Sequence, residues 1–331
     1  MLQYLIILLD DTSVSFCYHN NSKNNRSLIP LDVLYDGIKF GMKENLYIQF
    51  VLPDYKLPKE YWQAMMTIDH SIIAPGHVDY NNLVPVNEFY QLPNVVVFES
   101  VDAYLENSFK SNQSYVLKID MDTLFQNMHK ISNSINKVSR LNVVIDDIET
   151  FTDADFDKYK ECLACFSDSI ITAYRSGRTP QVNLITDRMM LNEMNNCNAG
   201  VSNITLAPDG MFYICPAFYQ SGSVASIGMS NAIGSVKTGL DIKNYKLYRI
   251  DHAPLCRNCD AFHCKRCVWL NNKTTFEVNT PSHQQCVISH LERNASRKLL
   301  CDLRMDYPQF LDGISIGEIN YLDPFDVKQE L

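Results

Sequence analysis

Seven of the chain's eleven cysteines fall between residues 197 and 286, at spacings that suit metal chemistry. They read Cys197-x12-Gly210-x4-Cys215, then Cys256-x2-Cys259-x4-Cys264-x2-Cys267, then Cys286. Thiolate is the soft ligand of iron–sulfur clusters and of structural zinc, and Cys-x2-Cys lets one turn present two sulfurs to one metal. Four cysteines within residues 256–267 are crowded for one tetrahedral site, so with three more at a distance they imply two interleaved sites. Core packing of isolated thiols does not generate such spacing. His252, His263 and His283 lie in the same stretch, so zinc held by three cysteines and a histidine is the alternative to iron–sulfur.

Other reactive groups are less organised. Cys162 and Cys165 fall in a helical pattern and read first as core thiols, with a redox pair as the alternative. Cys17 and His19 form a weak metal pair, and Cys301 reads as inert. Asp120-Met121-Asp122 and Asp146-Asp147 stand at strand ends, where helix capping is the first expectation. His70 and His77 read as ordinary surface or core histidines. No Ser-His-Asp order and no glycine-rich phosphate loop is visible.

The elements that must position these groups are legible in the first 190 residues. Strands are expected at Tyr4–Leu9, Tyr47–Leu52, Ser71–Ala74, Val95–Phe98, Tyr115–Ile119, Asn142–Ile145 and Val182–Ile185. Leu31, Leu34, Ile38 and Met42 recur at helix spacing after Pro30. Phe156, Tyr159, Leu163, Phe166 and Ile170 do so after Thr152, an expected N-cap. Such alternation implies a parallel α/β sheet, open or curved toward a barrel, with any active site at the carboxyl ends of its strands. Beyond residue 190, Asn203–Leu206 and Met211–Ile214 flank Ala207-Pro208-Asp209-Gly210 as a hairpin. The expected organisation is an α/β domain over 1–190, a cysteine-rich domain over 191–295, and a tail over 296–331. The middle part is too poor in apolar residues for a core of its own, so metal is expected to supply folding energy.

Composition sets the outer bounds. The 331 residues are 46% hydrophobic and 20% charged, which excludes a disordered or fibrous chain. A net charge of -9 offers no basic field, so no nucleic-acid partner is expected. Residues 243–304 invert the balance, with eleven Lys and Arg against five Asp and Glu. These cations either offset clustered thiolates or present a surface to an acidic peptide or protein. The apolar run Leu5–Leu9 is short and ends at Asp10-Asp11, and nothing reaches the roughly 20 apolar residues of a membrane helix. The expectation is a cytoplasmic protein whose cysteines bind metal, not a disulfide framework.

The cysteine region resembles the SPASM domain, a C-terminal extension of peptide-modifying radical SAM enzymes. That pattern is Cys-x9–15-Gly-x4-Cys, a gap, Cys-x2-Cys-x5-Cys-x3-Cys, a gap, and a last Cys. The first half is present, with the Pro208-Asp209-Gly210 turn, Tyr213 and Cys215-Pro216, while the two later spacings are each one residue shorter. The resemblance implies one auxiliary [4Fe–4S] cluster on Cys256, Cys259, Cys264 and Cys286. It implies a second on Cys197, Cys215 and Cys267, with an open or exchangeable fourth position.

Radical SAM enzymes also carry Cys-x3-Cys-x2-Cys after the first strand, and in that register this chain has Ser13, Cys17 and Asn20. One thiolate cannot hold the cluster that cleaves S-adenosylmethionine. A Gly-Gly-Glu run expected after the second strand is replaced by Pro53-Asp54-Tyr55-Lys56. The opening segment from Tyr4 to Cys17, with the layout as a whole, resembles the CXXX repeat peptide maturases. The combined resemblance implies a partial (β/α)6-type radical SAM-like barrel followed by a small cysteine-rich SPASM-like domain. It implies maturation of a ribosomally made, Cys-rich peptide beside a companion radical SAM enzyme, without SAM cleavage by this chain. Two further readings stay open: a zinc-held docking module without redox chemistry, and an active radical enzyme with unusual ligation.

Overall fold

The computed structural model describes residues 2–84, 92–194, 197–221, 231–314 and 316–318. Seven strands run parallel and pair in chain order: β1 (Tyr4–Leu8), β2 (Tyr47–Val51), β3 (His70–Pro75), β4 (Val95–Phe98), β5 (Ser114–Ile119), β6 (Arg140–Ile145) and β7 (Gln181–Val182). The chain then returns to the other side of β1. There β8 (Asn203–Leu206) pairs parallel to β1, and β9 (Met211–Tyr213), β10 (Ala232–Ser235) and β11 (Gly239–Leu240) follow antiparallel. One sheet of eleven strands therefore joins the N-terminal α/β region to the hairpin that precedes the cysteine run. This is the mixed α/β fold with a partial parallel barrel that the sequence implies.

The helices between the strands are α1 (Leu31–Lys43), α2 (Lys59–Met65), α3 (Tyr80–Leu83), α4 (Val101–Glu106), α5 (Met121–Ser134), α6 (Asp153–Arg175) and α7 (Asp187–Met190). Then come α8 (Ala217–Gln220), α9 (Val268–Thr275) and α10 (His283–Asp306). Thr152 and Asp155 form a reciprocal capping box at the start of α6, so orphan N–H groups there are satisfied. Asp120 accepts from Thr123 N and caps α5, as expected of a carboxylate at a strand end. Gly37 lets α1 lie against β8, since a Cβ at that position would stand 2.3 Å from Leu206 Cδ2.

The two faces of the sheet separate by the period of two. Leu5 and Ile7 of β1, Ile48 and Phe50 of β2, and Tyr115 and Leu117 of β5 pack beneath the helices. Ile6, Leu8, Val51, Ile73, Val97 and Val116 point to the inner, concave side, where Val14 and Phe16 from the loop after β1 cover them. That loop thus fills the barrel with the chain's own side chains. Helix α10 runs unbroken through Ser296 and packs along α6, with Arg175 pairing with Asp306 at 2.8 Å. Residues 319–331 of the expected tail lie outside the described residues.

A thiol-lined candidate metal centre

Taken in the two groups that the SPASM resemblance implies, four of the seven cysteines line one cavity, and no two cysteines among the described residues are joined by a disulfide. The first group surrounds a cavity of about 300 Å³ lined by Cys256, Cys259, Cys264 and Cys286 together with Arg266 and His290. The turn from 256 to 264 supplies three of these thiols, and the first turn of α10 supplies the fourth. Local geometry follows from the Cys-x2-Cys repeats: Ala261 N donates to Cys259 Sγ (3.4 Å) and Arg266 N donates to Cys264 Sγ (3.3 Å). Each bond favours thiolate over thiol.

The second group is Cys197, Cys215 and Cys267. Cys215 follows β9 and is buried; Cys267 caps α9, its sulfur accepting from Leu270 N (3.5 Å). A thiol at a helix N-terminus gains from the positive end of the helix dipole. The backbone carbonyl of Cys197 accepts from the Asn203 side chain, which ties the exposed first cysteine to β8. After burial, charge on Cys267, Cys197 and Cys17 raises the Cys215 thiol further.

Burial dominates the acidity of these thiols. It pushes Cys256, Cys259 and Cys267 up to about 12, and raises Cys215 well above the ordinary thiol range. Neighbouring thiols add to the rise at Cys256 and Cys215. Such groups ionise only where a cation replaces the proton, and a metal does so. Among the described residues no three Cys, His, Asp or Glu side chains converge closely enough to hold a single ion. Tetrahedral zinc needs thiolate sulfurs about 3.8 Å apart, from a bond length near 2.3 Å.

Arg266 lies between the two groups, 2% exposed, with a backbone φ of 40°. Its Nη2 donates to the Tyr248 carbonyl, while Nε and Nη1 have no hydrogen-bond partner among the described residues. Burial lowers its pKa, and the thiols of Cys256, Cys264, Cys197 and Cys267 pull it back up. A buried guanidinium with two nitrogens unpartnered among the described residues, beside soft donors, matches an anionic metal–sulfur centre.

Behind the cysteines runs a polar network that sequence reasoning missed. Tyr159 of α6 donates to Glu292 of α10 (2.6 Å), and His263 stands 3.0 Å from the same carboxylate. Arg188 and Arg293 both reach Asp260, at 3.4 and 3.1 Å. Residues more than thirty apart in the chain make each of these contacts except His263–Glu292, so spacing gave no signal. Of the three histidines considered as zinc ligands, only His263 is buried. His252 lies exposed in a short helical turn, and His283 opens α10.

At the end of β1, the residues in register with the radical SAM triad have other engagements. Ser13 Oγ donates to the Val51 carbonyl (2.9 Å), and Asn20 accepts from Lys118 Nζ. After β2, Tyr55 donates to Asp10 (2.7 Å) and stacks beneath Arg26, with the guanidinium 4.3 Å from its ring. Cys17 is half-buried. His19 is fully buried, 2.9 Å from Gln220 Oε1, and burial lowers its pKa to about 4. Asp146 departs from the capping expectation and pairs with the buried Lys118 at 3.2 Å, whereas Asp147 accepts from Met121 N. Cys162 is in the core, as expected, and Cys165 is half-buried with its sulfur 3.4 Å from His129 Nδ1. His70 is buried against the Ile68 carbonyl (2.9 Å), and His77 is exposed near Asp54.

Parallel strands in chain order, a returning hairpin and a C-terminal cysteine module define a class of fold, the radical SAM-type partial barrel with a SPASM-type extension. No family model matches the chain, and no curated protein matches its sequence. Among solved structures it is similar to native anSMEcpe with bound AdoMet, at a TM-score of 0.61 and 12% identity over 92% of this chain and 100% of that one. It is similar to the same protein with AdoMet and the Cp18Cys peptide (TM-score 0.58, 11% identity) or the Kp18Cys peptide (0.57, 12%), over 92% of this chain and 99% of that one in both. At such identity the likeness is one of fold. No helix among the described residues is long and apolar enough to cross a membrane.

Proposed function

We propose that this chain takes part in maturing a ribosomally made, cysteine-repeat peptide as an iron–sulfur accessory that no longer cleaves S-adenosylmethionine. The observation that carries the reading is the enclosure of one cavity by Cys256, Cys259, Cys264 and Cys286, the four positions that the SPASM resemblance assigns to one auxiliary [4Fe–4S] cluster. Cys197, Cys215 and Cys267 would serve a second. A [4Fe–4S] cluster takes four thiolates, one on each iron, and four cysteines line this cavity. When bound, such clusters supply reversible one-electron chemistry or a thiolate-accepting iron. The protein's own groups hold the thiolates by N–H···S bonds and set a cation, Arg266, between the two sites.

Loss of SAM cleavage rests on Ser13 and Asn20, which offer no thiolate and are held in hydrogen bonds of their own. The peptide partner rests on the family resemblance and on the fold shared with a protein solved with the Cp18Cys and Kp18Cys peptides. A companion radical SAM enzyme would perform the bond formation. The test is to incubate the anaerobically purified chain with SAM and dithionite, and separately with a labelled Cys-x-x-x repeat peptide. No 5′-deoxyadenosine and saturable peptide binding are expected. SAM cleavage by the chain alone, or no peptide binding, would overturn the reading.

A further inference from the structure

The group formed by Cys197, Cys215 and Cys267 is one thiol short of the four that a cluster takes. The loop after β1, which packs on the C-terminal module, carries one further thiol, Cys17. Residues 13–22 of that loop are seated on the module. Gln220, just beyond Cys215, accepts Ser22 N and Oγ on its carbonyl (2.9 and 2.8 Å) and donates to the Ser13 carbonyl (2.8 Å). His19 lies 2.9 Å from the Gln220 side chain and packs edge-on against Trp269, two residues beyond Cys267. Tyr18 lines a second, smaller cavity with Cys264 and Lys265. Cys17 is held within this segment. Thiolate charge on Cys197 and Cys267 acts on it, and charge on Cys17 acts in turn on Cys215. Lys265 and Lys118 provide opposite charge nearby.

Resting on the iron–sulfur reading above, we infer that Cys17 is the fourth thiolate of the Cys197, Cys215 and Cys267 site. The only cysteine left at the radical SAM triad positions would then serve the C-terminal centre. Its loading joins residues 180 positions apart, so the metal fastens the barrel loop to the cysteine module as well as filling the site.

The test is iron, acid-labile sulfide and EPR on the anaerobically reconstituted full chain and its Cys17→Ala, Cys17→Ser and Cys301→Ala variants, with circular dichroism as the folding control. The unsubstituted chain and Cys301→Ala are expected to hold about eight iron and eight sulfide. Cys17→Ala is expected to fall to about seven iron with the EPR signal of an oxidised three-iron cluster, or to about four iron if that cluster is lost. Should Cys17→Ala fail to fold, Cys17→Ser carries the test, with an altered signal from one cluster and an unaltered one from the other. Full iron and an unchanged spectrum in the folded Cys17 variants would overturn the assignment while leaving the iron–sulfur reading intact. An unsubstituted chain without iron or sulfide would overturn both.

Discussion

The imidazole of His19 meets the indole of Trp269 edge-on, ring centroids 5.9 Å apart and planes at 65°. Trp269 also donates to Ser221 Oγ (2.9 Å), so one side chain joins the loop after β1, the segment after β9 and helix α9. Trp269 is 5% exposed. Trp269→Ala is expected to cost about 3–5 kcal/mol through the cavity it leaves. Anaerobic urea unfolding of the chain measures this, and a change below about 1 kcal/mol would contradict the junction's role.

Lys118 places an ammonium on the inner face of β5, with only 2% of its side chain exposed, 3.2 Å from Asp146 and 3.6 Å from Glu99. Removing the closer carboxylate strands a buried charge, so Asp146→Asn is expected to lose about 3 kcal/mol. Lys118→Met removes the buried charge itself and should cost less. Equal losses in the two variants, measured by denaturant midpoint and slope, would contradict the pairing.

His70 titrates below its ordinary value because burial disfavours the charged ring. Its folded pKa is depressed, so the unfolded chain takes up the proton first as pH falls. The stability from the neutral ring is complete above about pH 6.5 and is lost as pH drops through the lowered folded value. The slope from this one group is at most about 1.4 kcal/mol per pH unit. In His70→Phe the stability curve should be shallower below pH 6.5, and curves that stay parallel would exclude the assignment.

Arg266 brings positive charge to both cysteine groups. In the loaded protein, Arg266→Gln should shift the midpoints of the centres to more negative potential, because reduction then adds an electron without the nearby cation. Potentiometric titration followed by EPR reads the shift. Unchanged midpoints would show that the guanidinium faces elsewhere.

Much of the fold was legible because its strands are buried on both faces and read as apolar runs. Strands β1 to β6 fall at the expected places, and Thr152 and the Pro208-Asp209-Gly210 turn act as their chemistry implies. The seventh strand ends early. The Asn183 side chain takes over the backbone bonds of Val143, and Thr186 Oγ1 closes a turn on Val182, so Val182–Ile185 stops at Val182. Helix α10 carries a four-residue spacing, Val287, Leu291, Ala295, Leu299 and Leu303, that was present in the sequence and crossed the boundary expected at Ser296. Spacing alone implied two interleaved sites; the set Cys256, Cys259, Cys264 and Cys286, which the SPASM resemblance implies for one of them, lines a single cavity. The docking of the loop after β1 on Gln220 and Trp269 was not legible, because local periodicity carries no information about loops that meet across the sheet.

The most direct measurement is metal content after anaerobic purification, with acid-labile sulfide and the visible spectrum, on the chain and on Cys256→Ala. About eight iron and eight sulfide are expected, with charge-transfer absorption falling by about half in the variant. One or two zinc ions without sulfide, kept through aerobic handling, would contradict the iron–sulfur account and leave a zinc-held docking protein.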